Sequence, residues 1–121
     1  MKGFYIVIAD VIYEMKDMQN REAVNEFVRR VLERYKDKID SIILFGSVAR
    51  GEAKEDSDID VLIVVKKEDF KLRRALIGVA FDILLETGKD ISVKVLSKNE
   101  FEERRNFSFL RNIISEGVRL A

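Results

Sequence analysis

The sequence predicts an α/β (α+β) fold in which a small mixed β-sheet is flanked by helices. Two short segments, residues 41–45 after an initial serine and residues 58–65 after an acidic start, are apolar at consecutive positions, which is typical of strands covered on both faces. A third segment, residues 90–96, alternates apolar and polar residues, as a strand with one buried face does. Helical patterns separate these segments, so the predicted order is helix, strand, strand, helix, strand, helix.

The N-terminal third of the chain contains two predicted helices. Residues 4–16 are apolar-rich without a clear period, and we interpret them as a helix that either packs on the sheet or forms a partner surface. The next helix begins after Asn20, a residue type that caps helix N-termini. Its apolar residues follow the spacing of one buried helical face: Val24, Phe27, Val28, Val31, Leu32 and Tyr35.

Helix start and stop signals also define the second half of the chain. Asp69 is the predicted N-cap of a long helix that ends at Gly88. Residues 97–100 read Ser-Lys-Asn-Glu, which is a capping box. One helix, or two separated near Asn106, is expected to follow and to stop at Gly117.

Composition limits the chemistry that is open to this chain. Its 121 residues suit a single domain, residues 1–121, and 47% hydrophobic and 36% charged residues without proline indicate a folded protein. Lys plus Arg equals Asp plus Glu at 22 each, so the basic excess of proteins that grip long nucleic acids is absent. No apolar run has the length of a membrane span, and we expect a cytoplasmic protein.

The chain has no cysteine and no histidine, which removes thiolate chemistry, zinc–thiolate sites and the commonest general base. Catalysis would therefore depend on carboxylates, hydroxyls, Lys or Arg, and a hard cation that prefers oxygen ligands.

One motif concentrates these groups. Gly46 and Ser47 follow the first predicted strand, and Asp58 and Asp60 stand at the start of the second. Carboxylates two residues apart on a strand point to the same face and could share a divalent cation. A Gly-Ser turn offers backbone N–H groups and a hydroxyl to an anion. Either half alone is a weak signal, because a glycine after a strand is usually a turn and Ser-Asp can be an Asx turn.

The combined pattern, Gly-Ser, ten residues, then Asp-x-Asp with Ala49-Arg50-Gly51 in the spacer, resembles the signature of the DNA polymerase β-type nucleotidyltransferase superfamily, most of all its minimal (MNT-type) members. The resemblance implies that Gly46 and Ser47 contact the β- and γ-phosphates of an NTP such as ATP, with Arg50 nearby. It implies that Asp58 and Asp60 bind Mg²⁺ and are catalytic. The implied reaction transfers a nucleoside monophosphate to a hydroxyl and releases pyrophosphate.

The family usually adds a third carboxylate from a neighbouring strand, and here the candidate is Asp90. It stands at the first position of its predicted strand, whereas Ser92 and Lys94 occupy the following places on the same face. Asp90 is therefore either the third catalytic carboxylate or an ordinary strand-start residue.

The resemblance also implies partners. Small members of the family pair with a helical HEPN-type protein and can act as the antitoxin that modifies it, so we expect such a partner or a homodimer. The alternative is a catalytically weak or inactive module of the same fold that neutralises its partner by binding alone.

Overall fold

The computed structural model describes residues 18–53 and 57–121. The predicted helix at residues 4–16 and residues 54–56 of the charged loop lie outside the described residues. The elements in chain order are α1 (Met18–Tyr35), a 3-10 turn (Lys36–Lys38), β1 (Ile39–Phe45), α2 (Gly46–Ala49), β2 (Ile59–Val65), α3 (Phe70–Thr87), β3 (Ile91–Ser97), α4 (Lys98–Arg104), α5 (Ser108–Glu116) and β4 (Val118–Arg119).

The four strands form one mixed sheet in the order β3-β2-β1-β4. β2 pairs with β3 in parallel, and β1 pairs antiparallel with both β2 and β4. In this register Asp60 lies beside Phe45 on β1 and beside Ser92 on β3. The predicted small mixed sheet flanked by helices is thus confirmed, and its register brings the motif residues of β1, β2 and β3 to one end of the sheet.

One face of the sheet is covered by α1 and α3. The predicted apolar stripe of α1 is confirmed, since its first four members are buried and Leu32 and Tyr35 pack against the same core. Alternate residues of β2 reach this core: Ile59, Val61, Ile63 and Val65. Because the strand side chains alternate, the acidic start of β2 belongs to the opposite face.

Among the described residues, α4 and α5 cover part of the opposite face. Leu62 and Val64 pack there with Leu110 and Ile113 of α5. This second core is small, and it leaves the end of the sheet that carries Asp60 partly open.

Most predicted helix ends are confirmed. The Asp69 side chain accepts hydrogen bonds from the backbone N–H groups of Lys71 at 2.9 Å and Leu72 at 3.2 Å. Gly88 ends α3 in a left-handed conformation. Ser97 and Glu100 form the predicted capping box, each side chain accepting from the other residue's backbone N–H.

Two details of the sequence prediction were wrong. Asn20 is not an N-cap, because α1 already includes Met18 and Asn20 lies buried within the helix. The predicted stop of the last helix at Gly117 is confirmed, but the predicted element order lacks β4, which follows Gly117 and adds an edge strand to β1. Gly117 fits this crowded junction because a Cβ there would collide with the Ile113 carbonyl oxygen and the Ile43 side chain. Of the two options after the capping box, the chain takes two helices, separated at residues 105–107.

No helix within the two described ranges is long and apolar enough to cross a membrane.

Candidate active site

The Gly-Ser turn is closed by its own backbone. After Phe45 the chain enters the short helix α2 through Gly46, whose φ is +74°. The N–H of Arg50 donates to the Gly46 carbonyl at 3.1 Å, and the N–H of Glu52 donates to the Ser47 carbonyl at 2.9 Å. The motif therefore forms a compact turn in which Gly46 takes a conformation that residues with a side chain rarely adopt.

The Asp60 carboxylate lies directly against this turn. A Cβ added to Gly46 would collide with Oδ2 of Asp60 and would stand only 3.1 Å from its Cγ. The pairing of Phe45 with Asp60 explains the contact, since Gly46 follows Phe45 immediately. Two parts of the motif that are fourteen residues apart in sequence are thus in van der Waals contact, as a shared phosphate and cation site requires.

The two acids of the motif have different environments. Asp60 is half-buried, whereas Asp58 lies just before β2 and is exposed. Burial raises the pKa of Asp60, and the negative charge of Asp58 raises it further; the nearby charges of Lys94 and Arg50 act in the opposite direction. The surroundings of Asp60 therefore disfavour its ionised form.

This donor set fits a magnesium ion. Carboxylate oxygens are the ligands that Mg²⁺ prefers, and one or two of them suffice when substrate phosphates and water supply the rest. A cation would also relieve the repulsion that raises the pKa of Asp60. Among residues 18–53 and 57–121, however, no group of three or more His, Cys, Asp or Glu side chains is arranged to hold a metal ion.

The structure does not gather Asp90 into such a three-carboxylate group. Asp90 is exposed and precedes β3, and its carbonyl accepts a hydrogen bond from the N–H of Ile59 at 2.9 Å. The residue that pairs with Asp60 on β3 is Ser92. A catalytic role for Asp90 stays a prediction.

Arg50 is engaged by neighbouring carboxylates. Its guanidinium contacts Glu52 at 3.1 Å and Glu116, the last residue of α5, at 3.4 Å. The hydrogen bond to Glu52 is the main cause that raises the pKa of Arg50. In this arrangement Arg50 links the turn to α5, and a contact with phosphate would require it to exchange a carboxylate partner.

Two neighbours of the site, the cationic Lys94 and the aromatic Phe109, were not identified from the sequence. The Lys94 Nζ atom lies 5.6 Å from the centroid of the Phe109 ring, and Phe109 packs edge-on against Phe45 at 6.1 Å between centroids. Lys94 shares a sheet face with Asp60 and lowers its pKa. The alternation of β3 located Lys94 on this face, but nothing in the sequence places α5, and hence Phe109, beside it.

Comparison with known proteins identifies the class to which this site belongs. The family described as the nucleotidyltransferase domain matches residues 24–120, so the chain belongs to that family and its class of activity is nucleotidyl transfer. The match includes every motif residue named above, and the predicted family resemblance is confirmed.

Two relatives come from Methanocaldococcus jannaschii, and both are provisionally named protein adenylyltransferases. The first is 41% identical over 100 residues, which cover 83% of this chain and 96% of the relative. The second is 41% identical over 75 residues, covering 56% of this chain and 76% of the relative.

Solved structures show the same fold at low sequence identity. A toxin–antitoxin complex with AMP-PNP has a TM-score of 0.52 and 22% identity, over 78% of this chain and 70% of that chain. A nucleotidyltransferase-type structure from Sulfolobus solfataricus has a TM-score of 0.51 and 21% identity, over 80% of this chain and 79% of that chain.

Proposed function

We propose that this chain transfers a nucleoside monophosphate from an NTP, ATP in the first instance, to a hydroxyl group of a protein, with Mg²⁺ as its cofactor. The observation that carries the proposal is the contact between Asp60 and Gly46, which joins a half-buried carboxylate to the Gly-Ser turn. The names of the M. jannaschii relatives support AMP as the transferred group and a protein as the acceptor.

Each motif residue has a role in this proposal. Asp58 and Asp60 would hold Mg²⁺, and the backbone and hydroxyl of Gly46 and Ser47 would bind the β- and γ-phosphates. Bound Mg²⁺ would supply a positive charge that offsets the charge developing on the phosphate oxygens. Arg50 would stabilise the turn and would contact phosphate only after leaving Glu52 or Glu116. Asp90 would be the third catalytic carboxylate, which would help to activate the acceptor hydroxyl.

The reaction balances without a redox partner. The acceptor oxygen attacks the α-phosphorus and forms a phosphodiester, while the bond from the α-phosphorus to the oxygen bridging to the β-phosphate breaks. Pyrophosphate leaves with that bridging oxygen, and the acceptor proton passes to a carboxylate or to water. Positioning and charge neutralisation would provide most of the acceleration.

The partner we propose is a helical protein of the HEPN type whose hydroxyl side chain accepts the nucleotide. The fold is shared with a solved toxin–antitoxin complex that contains AMP-PNP, and this likeness supports the choice of partner class. A cytoplasmic location and a single domain over residues 1–121 stay predictions.

Calorimetric titration with Mg-ATP tests the site. We expect the double variant Asp58→Asn, Asp60→Asn to lose binding, because both proposed magnesium ligands lose their charge. Asp37→Asn, which changes an exposed carboxylate in the 3-10 turn, is the matched control and should bind like the wild type. Equal binding by the wild type and the double variant would contradict the proposed metal site.

The position of an isotopic label in ATP tests which part of the nucleotide is transferred. With a HEPN-type protein as acceptor, ATP labelled on the α-phosphate should label the acceptor, whereas ATP labelled on the γ-phosphate should not. The opposite result would indicate phosphoryl transfer and would overturn the proposal. Mass spectrometry of the acceptor should show the addition of one AMP group at a hydroxyl side chain.

A second candidate function is neutralisation of the partner by binding alone. It is favoured by Ser92, which occupies the place beside Asp60, and by the absence of a three-carboxylate group in the described ranges. The double Asn variant separates the two functions: neutralisation that survives in this variant favours binding, and neutralisation that is lost favours catalysis.

A further inference from the structure

Helix α3 has an apolar face that no other element within residues 18–53 and 57–121 covers. Its inner face packs into the main core through residues such as Leu72, Leu76 and Ile83. Four large side chains on its outer face are exposed to these fractions: Phe70 70%, Ile77 48%, Phe81 56% and Leu85 70%. Together they offer on the order of 400 Å² of apolar surface, and patches of this size mark interaction surfaces.

The charges on α3 are segregated along its length. The first half carries Lys71 and Arg74, and the second half carries Asp82 and Glu86. Glu86 also accepts a hydrogen bond from Arg30 of α1 at 2.6 Å, which places α1 along one side of this face. A helix that is basic in one half and acidic in the other is complementary to a second copy of itself only when the two run antiparallel.

Gly78 lies at the midpoint of this charge pattern, four residues from Arg74 and four from Asp82. It is exposed in the middle of a helix, where glycine is unfavourable, and a Cβ at this position would meet no atom within 4 Å. Packing within the described residues therefore does not require glycine here. A second backbone that approached α3 closely would require it.

We propose that the outer face of α3 is a homodimer interface, in which α3 pairs antiparallel with α3 of a second copy across a two-fold axis at Gly78. The basic half of each helix would then face the acidic half of the other, and the apolar side chains would cover one another. A parallel pair would oppose like charges. Two copies of the patch with their charged margins reach roughly 1,000 Å², the lower limit for a specific interface.

Sedimentation equilibrium on the full chain tests the interface. The wild type should dimerise, and Phe81→Glu with Leu85→Glu should weaken the dimer by more than roughly 100-fold, since each dimer loses four apolar contacts. Phe107→Glu, which changes an exposed phenylalanine beyond α4, is the matched control and should leave the dimer unchanged. A monomeric wild type overturns the proposal, as does a dimer that is insensitive to the α3 variant.

Charge exchange tests the antiparallel arrangement. Arg74→Glu and Asp82→Lys should each weaken the dimer by roughly three- to tenfold, because each change introduces two like-charge contacts per dimer. The double variant should recover the wild-type dissociation constant, since the two charges have merely exchanged places. Failure of the double variant to recover, with its helix content intact by circular dichroism, overturns the antiparallel pairing.

Cysteine cross-linking locates the axis, and the chain has no cysteine of its own to interfere. Gly78→Cys should form a disulfide with its own copy under mild oxidation. Arg74→Cys and Asp82→Cys should cross-link with each other when mixed but not with themselves, because identical positions would lie about 12 Å apart along the helix axis. Efficient self-cross-linking of Arg74→Cys would overturn the proposed axis. All three experiments are independent of nucleotide transfer, so their failure would leave the proposed function untouched.

Discussion

The two faces of strand β2 differ in the residues that they carry and in how deeply those residues are buried. On the face toward α1 and α3, the side chains from Ile59 to Val65 are apolar and have essentially no exposure. On the other face, the exposed Asp58 precedes the strand and the half-buried Asp60 lies near its start, before the fully buried Leu62 and Val64. One strand therefore serves as the centre of a core on one side and as the floor of a site on the other.

The two faces also differ in how well the charges of their carboxylates are balanced by neighbouring groups. Charges on the α1 and α3 layer are compensated: Glu26 accepts hydrogen bonds from Arg29 at 3.1 Å and from Arg30 at 2.7 Å, which lower its pKa to about 2. Asp60 on the site face is compensated only in part by the charges of Lys94 and Arg50, and burial and the charge of Asp58 raise its pKa. A carboxylate whose negative charge its surroundings disfavour suits a group that binds a cation.

The largest expected effect lies on the buried face. Phe27→Ala should lower the free energy of unfolding by about 3–5 kcal/mol, because Phe27 is fully buried between α1 and the sheet and its removal leaves a cavity. Phe109→Ala, on the half-open face, should cost about 1 kcal/mol, since its ring is half exposed. Urea denaturation of both variants measures the contrast. Equal losses would mean that the two faces are packed equally well.

Gly46→Ala should destabilise the protein by about 2–3 kcal/mol, because it combines a positive φ with a collision against Asp60. Gly51→Ala is a matched control: its φ is +73°, but open space surrounds it, so about 1 kcal/mol is expected. Thermal unfolding compares the two. Equal losses would show that backbone conformation alone is responsible and that the contact with Asp60 is unimportant.

Glu26→Gln should destabilise the protein by about 1–2 kcal/mol at neutral pH, a figure reduced from the pKa shift because the ion pairs are partly exposed to solvent. The folded pKa of about 2 lies below the ordinary value of 4.5. The wild type should therefore lose this stability as pH falls from about 4.5 toward 2, whereas the Gln variant should not. Parallel pH curves for the two proteins would contradict the prediction.

Asp60→Asn should stabilise the protein by about 1 kcal/mol or less at neutral pH without added metal. This effect is smaller than that of Glu26→Gln and opposite in sign. The raised pKa means that ionised Asp60 opposes folding above its ordinary value of 3.8. The advantage of the Asn variant should therefore shrink as pH falls through the raised pKa and vanish below the ordinary value. Unfolding curves at several pH values measure it, and a destabilised Asn variant would show that Asp60 supports the fold.

Much of this comparison could be predicted from the sequence. The buried stripe from Val24 to Tyr35, the cap at Asp69 and the capping box at Ser97 follow from local patterns, because periodicity and capping depend on neighbours a few residues away. The strand β4 could not be predicted, since two residues carry no periodicity and their pairing with β1 depends on where α5 ends. Asn20 failed as a cap because the helix extends beyond it.

For the site, the sequence determined the residue types and their spacing, Gly46, Ser47, Asp58 and Asp60, and the absence of cysteine and histidine determined the chemistry they can perform. Only the tertiary structure decided that Asp60 packs against Gly46, that Arg50 is held by Glu52 and Glu116, and that Lys94 and Phe109 stand nearby. The physical reason is that spacing fixes which face a side chain occupies, whereas strand register and helix packing fix which distant side chains share that face.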